Sequence, residues 1–157
     1  MRQNRGFSLV ELLIVVAIIG IVAAIAIPSL LTSRMAANEA SATQSCRTIG
    51  SAEAAFAASN SQQYTNLTTL VSGNFLDARF SGTGGINGYG YASGDVLGTT
   101  LDGAPPSAFG FIATPSSSMG RFLYGIAPDQ TVRYQGAVSG ESLPSGVTAG
   151  DPIGKTN

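Results

Sequence analysis

Arg5-Gly6-Phe7-Ser8-Leu9-Val10-Glu11-Leu12 opens into an apolar run that continues to Ile27, and the reading of this stretch decides the fold. Upstream, Met1-Arg2-Gln3-Asn4-Arg5-Gly6 is polar and carries two positive charges. From Phe7 to Leu31 the single charge is Glu11, and Leu12 to Ile27 holds only Leu, Ile, Val, Ala and Gly20. A run of roughly 20 such residues crosses a bilayer as a helix, because every backbone polar group is then bonded within the segment. Arg2 and Arg5 are expected to stay on the cytoplasmic side, which gives an N-in, C-out topology.

Three readings compete for this segment. It suits a secretory signal, with Ala24-Ile25-Ala26 as an A-x-A cleavage site, and it suits an uncleaved signal anchor. It also suits a leader that is cut before the apolar run rather than after it. Glu11 discriminates among them. A carboxylate inside an apolar helix costs about 2.5–3.5 kcal/mol at the membrane centre and less near an interface. A secretory signal gains nothing by tolerating it, so Glu11 calls for a function and a partner.

The octet from Arg5 to Leu12, followed at once by the apolar helix, resembles the class III signal of type IV pilins and of type II secretion pseudopilins. Pro28 at the end of the run fits the same pattern. The resemblance implies that a membrane-embedded prepilin peptidase cuts between Gly6 and Phe7 and then N-methylates Phe7. It implies that the apolar helix stays on the mature protein, first as a membrane anchor and later as a filament core. It also implies a role for Glu11, which would neutralise the new Phe7 α-ammonium of an adjacent subunit during assembly. Phe7 and Glu11 stand at i, i+4, so a contact within one helix is equally open. Burying two separate charges is costly, and pairing them offsets much of that cost.

Beyond Pro28 the helical pattern continues but becomes amphipathic. Met35, Ala42, Cys46, Ile49 and Phe56 recur at spacings near three and four, while Arg34, Asn38, Ser41, Gln44, Thr48 and Ser59 are assigned to the opposite face. One helix from Phe7 to about Ala58 would measure roughly 75–80 Å. Pro28 and Gly20 are its expected weak points, Pro28 as a kink and Gly20 as a poor helix former that allows close helix approach.

Composition changes sharply after Ser59, since all but three of the 20 glycines follow it. A short helix is expected at Leu67 to Gly73, and Phe80 to Thr100 reads as irregular. Alternation of Phe109, Phe111 and Ala113, then of Phe122, Tyr124 and Ile126, predicts two strands. Thr131 to Tyr134 makes a third after the turn Pro128-Asp129-Gln130. The expected fold is α+β, a long N-terminal helix packed against a small antiparallel sheet of three strands. The expected organisation is a leader at 1–6, a transmembrane and filament-core helix at 7–31, its amphipathic continuation at 32–58, and a Gly-rich head at 59–157. Arg121-Phe122-Leu123-Tyr124 through Val132-Arg133-Tyr134 also resembles the last hairpin of compact bacterial pilins. The paired cysteines that close the terminal loop in many pilins are missing, and Gly136 to Asn157 shows no strand pattern.

The rest of the composition narrows function by exclusion. There is no histidine, so neither a Ser-His-Asp nor a Cys-His arrangement can be built. The chain is read as a non-enzyme with no cofactor. Net charge is −1 and the basic residues are scattered, which gives no electrostatic case for direct nucleic-acid binding. Gly82 to Gly88 misses the dinucleotide spacing, and Gly150 to Lys155 is too short for a phosphate loop. A lone Cys46 on the apolar stripe is expected to be a small buried hydrophobe. Asp95, Asp102, Asp129 and Asp151 lack an EF-hand spacing and read as turn residues rather than a metal site. Ser116-Ser117-Ser118 reads as an exposed loop. The resemblance implies identical subunits, the peptidase and an inner-membrane assembly machinery as partners. It also implies an extracellular pilus serving adhesion, twitching or DNA uptake. The alternative is a pseudopilin or minor pilin of a secretion or pilus-initiation complex.

Overall fold

Helix α1 spans Leu9–Ser59, 51 residues, in a computed structural model that describes residues 6–82, 85–93, 108–137, 143, 148 and 150–154. It runs unbroken past Gly20 and Pro28. Pro28 has no amide hydrogen, so the turn before it loses one backbone bond. Hydroxyls lie just after the gap: Thr32 Oγ1 donates to the carbonyls of Pro28 and Ser29 at 3.3 and 2.9 Å, and Ser33 Oγ to that of Ser29 at 2.9 Å. The chain divides into two compact units, Met1–Arg34 and Met35–Asn157.

In the first unit, every described side chain is exposed except Ala23, which is half-buried. In the second, the helix buries one side under a sheet. Ala42, Cys46, Ile49 and Ala52 join Leu67, Leu70, Phe80, Tyr89, Phe109, Phe111, Tyr124 and Ile126 in one core. The expected stripe is therefore the packed face, and it is broader than its apolar members. Asn38 and Ser41, assigned by sequence to the far face, turn toward the head instead. Asn38 Nδ2 donates to the Met119 carbonyl at 2.8 Å, and Asn87 Nδ2 to Ser41 Oγ at 2.7 Å. Their short polar side chains reach backbone and turn groups at the margin of the sheet, a contact that hydrophobic spacing does not register.

Helix α2, Leu67–Ser72, starts where Asn66 Oδ1 accepts the Thr69 amide hydrogen at 2.9 Å, a standard cap. Four strands follow, β1 Tyr89–Ser93, β2 Phe111–Pro115, β3 Phe122–Ile126 and β4 Val132–Ala137. They pair antiparallel in chain order. The α+β class is as expected, but the count of three strands is corrected to four among the described residues. The missed strand lies inside the stretch read as irregular. Gly90 and the glycines around it mask the strand propensity of Tyr89 and Tyr91, which carry the pattern. Tyr89 is fully buried and donates its hydroxyl to the Phe122 carbonyl at 2.8 Å.

The tail also differs from expectation where it is described. Gly136 belongs to β4, whose last pairs with β3 follow a bulge at Leu123/Tyr124. Residues 150–153 then run along the outer side of β4. Tyr134 donates to the Asp151 carbonyl at 3.0 Å, Gly150 to the Tyr134 carbonyl at 2.7 Å, and Ile153 to the Val132 carbonyl at 3.0 Å. Arg133 bridges to Pro152. Long-range backbone pairing of this kind leaves no local periodicity to read.

Candidate functional site: the N-terminal segment

Gly6, Phe7 and Ser8 precede the helix in non-helical, exposed backbone, and Phe7 is 79% exposed. A side chain built on Gly6 would meet no atom within 4 Å. The Ser8 carbonyl accepts the Leu12 amide hydrogen at 3.3 Å, which makes Ser8 the N-cap. The Ser8 amide donates in turn to Glu11 Oε2 at 2.9 Å. This is the carboxylate half of a capping box, and an acid in the first turn also suits the helix dipole. Sequence reasoning gave Glu11 a single role and overlooked the cap. The signal was present, because Ser8-Leu9-Val10-Glu11 is an S-x-x-E directly ahead of an apolar run.

In this chain the Phe7 nitrogen is a peptide nitrogen and carries no charge to pair with Glu11. Beyond Glu11, the helix offers an unbroken apolar surface. Leu9, Leu12, Ile14, Ile18, Ile21, Ile25 and Leu30 are all more than half exposed. It is long and apolar enough to cross a membrane. Gly20 and Pro28 lie within this segment and remain helical.

A family profile described as "Prokaryotic N-terminal methylation motif" matches residues 1–27. The N-terminal segment is thus similar to that of type IV pilins. The chain is similar to the "Type IV wide pilus major component PilA4" of Thermus thermophilus, at 59% identity over 39 residues, 25% of this chain and 30% of the relative. It is also similar to the "Type IV major pilin protein PilA" of Myxococcus xanthus, at 44% identity over 54 residues, 34% of this chain and 24% of the relative. The chain thus spans less than a third of the length of either pilin, and both relatives are described as major rather than minor components.

The head places the other singled-out residues in structural roles. Cys46 is fully buried, and burial pushes its thiol up to about 12 although Arg47 lies next to it. Asp129 pairs with Arg133 and accepts the Thr131 amide at 3.1 Å, while Asp151 accepts both the Thr148 amide and hydroxyl. Both are turn residues; Asp95 and Asp102 lie outside the described residues. No cluster of three metal-ligating side chains occurs among the described residues. Gly85 and Gly88 shape the turn into β1, with Thr83 and Gly84 outside the description. Ser116, Ser117 and Ser118 form the exposed β2–β3 turn.

Two glutamates escaped notice. Glu39 and Glu53 are buried on the same stripe, completing the series 35, 39, 42, 46, 49, 53, 56. Glu39 Oε1 accepts from the Arg121 amide at 2.8 Å and from its Nε at 3.0 Å, and Oε2 from Nη2 at 2.9 Å. Among the described residues, Glu53 Oε2 accepts only the Thr65 amide, at 3.2 Å, and its Oε1 is buried without a partner. Both were legible as charges in phase with an apolar repeat.

Proposed function

We propose that this chain is the precursor of a structural subunit of a type IV pilus. The observation that carries the reading is the prepilin motif at 1–27, joined to a helical segment, residues 9–31, whose apolar side chains are exposed apart from the half-buried Ala23. The leader at 1–6 is cut between Gly6 and Phe7 by a prepilin peptidase, which then methylates the Phe7 nitrogen. Residues 7–31 anchor the precursor in the inner membrane, N-in and C-out. With the membrane assembly machinery, identical subunits then pack these helices into an extracellular filament. Adhesion, twitching or DNA uptake would be properties of that filament. Catalysis by the chain itself forms no part of the proposal.

Within the filament, Glu11 pairs with the Phe7 α-ammonium, of its own or a neighbouring subunit, and so fixes register. Intact mass of sheared filament protein should begin at Phe7 with one added methyl. Finding Asn4 or Ile27 at the N-terminus would end the prepilin reading. Glu11→Ala should abolish or sharply reduce surface filament relative to processed subunit, since removing one partner of a buried pair costs about 3–5 kcal/mol. Normal filament from that variant would leave hydrophobic packing as the sole driver of assembly.

A further inference from the structure

We infer that Asn87 is a site of spontaneous deamidation, and that its bond to Ser41 of α1 restrains the reaction. The inference stands apart from the pilus reading, because it concerns one turn of the head and its contact with the helix. Asn87-Gly88 is the only Asn-Gly pair in the chain. It forms the two-residue turn of a tight hairpin, with both residues at positive φ, 50° and 78°. The Ile86 amide donates to the Tyr89 carbonyl at 2.8 Å, and the Tyr89 amide to the Ile86 carbonyl at 3.0 Å. Sequence and backbone agree here, since Asn-Gly suits such a turn. Space also requires the glycine: a Cβ on Gly88 would lie 2.6 Å from that of Met119.

The same pair carries a chemical liability, for asparagine is thermolabile and a following glycine leaves its nitrogen unhindered. Among the described residues, no group accepts from the Gly88 amide. In the reaction that nitrogen attacks Cγ of Asn87. The Gly88 N–Cγ bond forms and the Cγ–Nδ2 bond breaks. The Gly88 amide proton passes through water to the departing nitrogen, which leaves as ammonia. Water then opens the cyclic imide at either carbonyl, giving aspartate or isoaspartate. Asn87 is exposed, so water reaches it. Against this, Asn87 Nδ2 donates to Ser41 Oγ at 2.7 Å. Attack requires the side chain to swing over the Gly88 nitrogen, so the Ser41 bond must open first. Isoaspartate adds a methylene to the main chain inside a turn whose Gly88 carbonyl accepts the Ser116 amide at 2.7 Å. It would loosen the entry to β1, directly before the buried Tyr89. Opening of the contact between helix and turn is thereby recorded as a covalent, one-way mark.

The test uses the full-length, detergent-solubilised chain, aged at pH 6 and pH 8 and sampled by peptide mass and enzymatic isoaspartate detection. The wild type should gain acid at Asn87, faster at pH 8 because the attacking nitrogen must lose its proton. Ser41→Ala should speed conversion by about two- to tenfold, the range that one neutral hydrogen bond supports. Thr48→Ala also removes a hydroxyl from α1, but that hydroxyl donates within the helix, to the Gln44 carbonyl. Its rate should match the wild type. Asn87→Gln should yield no product, because the longer side chain closes its ring far more slowly. A wild-type rate in Ser41→Ala, or equal acceleration in Ser41→Ala and Thr48→Ala, overturns the restraint. Absence of conversion at Asn87 in both the wild type and Ser41→Ala, while denatured chain converts, overturns the site itself.

Discussion

Glu39 and Glu53 stand on one face of the same helix under the same sheet, and their surroundings divide them. Glu39 holds three hydrogen bonds from Arg121, so its burial is matched by a cation. Glu53 has one backbone donor and an orphaned oxygen. Burial raises its carboxyl to about 7, against a smaller downward pull from the Thr65 amide. The folded value lies above the unfolded one, near 4.5, so the folded head binds this proton more tightly than the unfolded chain. Its stabilising contribution is complete below about pH 4.5 and is lost as pH climbs through about 7, a swing on the order of 2–3 kcal/mol. Glu53→Gln keeps an acceptor for Thr65 and cannot ionise. Chemical unfolding of the detergent-solubilised chain at pH 5 and pH 8 should show the wild type losing stability over that interval and the variant losing much less. An identical pH dependence in the two would contradict this account of Glu53.

At the scale of elements, the sheet depends on close approaches that a composition cannot announce. Gly120, in the turn before β3, is one of them. A Cβ there would lie 2.1 Å from the Tyr89 hydroxyl oxygen, the group that donates to Phe122 and ties β1 to β3. Gly120→Ala should force that ring aside and cost about 1–3 kcal/mol, read as a lower unfolding midpoint. A variant of unchanged stability would mean that the hydroxyl bond contributes little.

The sequence exposed some of these elements and hid others, for physical reasons. α2 declared itself through a short apolar patch among turn residues, and β2 and β3 through alternating aromatics. β1 did not, because its two tyrosines are diluted by glycine. Of the N-terminal segment, Gly6, Phe7 and Glu11 were conspicuous, since a single charge in an apolar run is costly to keep. The Ser8 cap was concealed by that same conspicuousness, which drew attention to charge and away from hydrogen bonding. Glu39 and Glu53 vanished from the stripe because only apolar positions were counted in it.

For the molecule as a whole, the proposed function has the long helix serve first in a membrane and then in a filament, and its weak points would matter in both. Gly20 and Pro28 are helical in the single chain, although the turn before Pro28 is short of one donor and Gly20 has poor intrinsic propensity. Amide exchange through residues 20–28 should therefore be faster in assembled filaments than in the stretches on either side. Uniform, strong protection there would show that packing fully compensates for both residues.

The strip formed by residues 150–153 along β4 has a consequence for how such molecules meet. A bare strand edge is a template for sideways sheet growth, and crowded copies of one chain are the setting in which that growth starts. On this side of the sheet the template is already occupied, and Pro152 has no amide hydrogen with which to extend it. In the filament proposed above, copies brought together by their apolar helices would be kept from fusing through this edge.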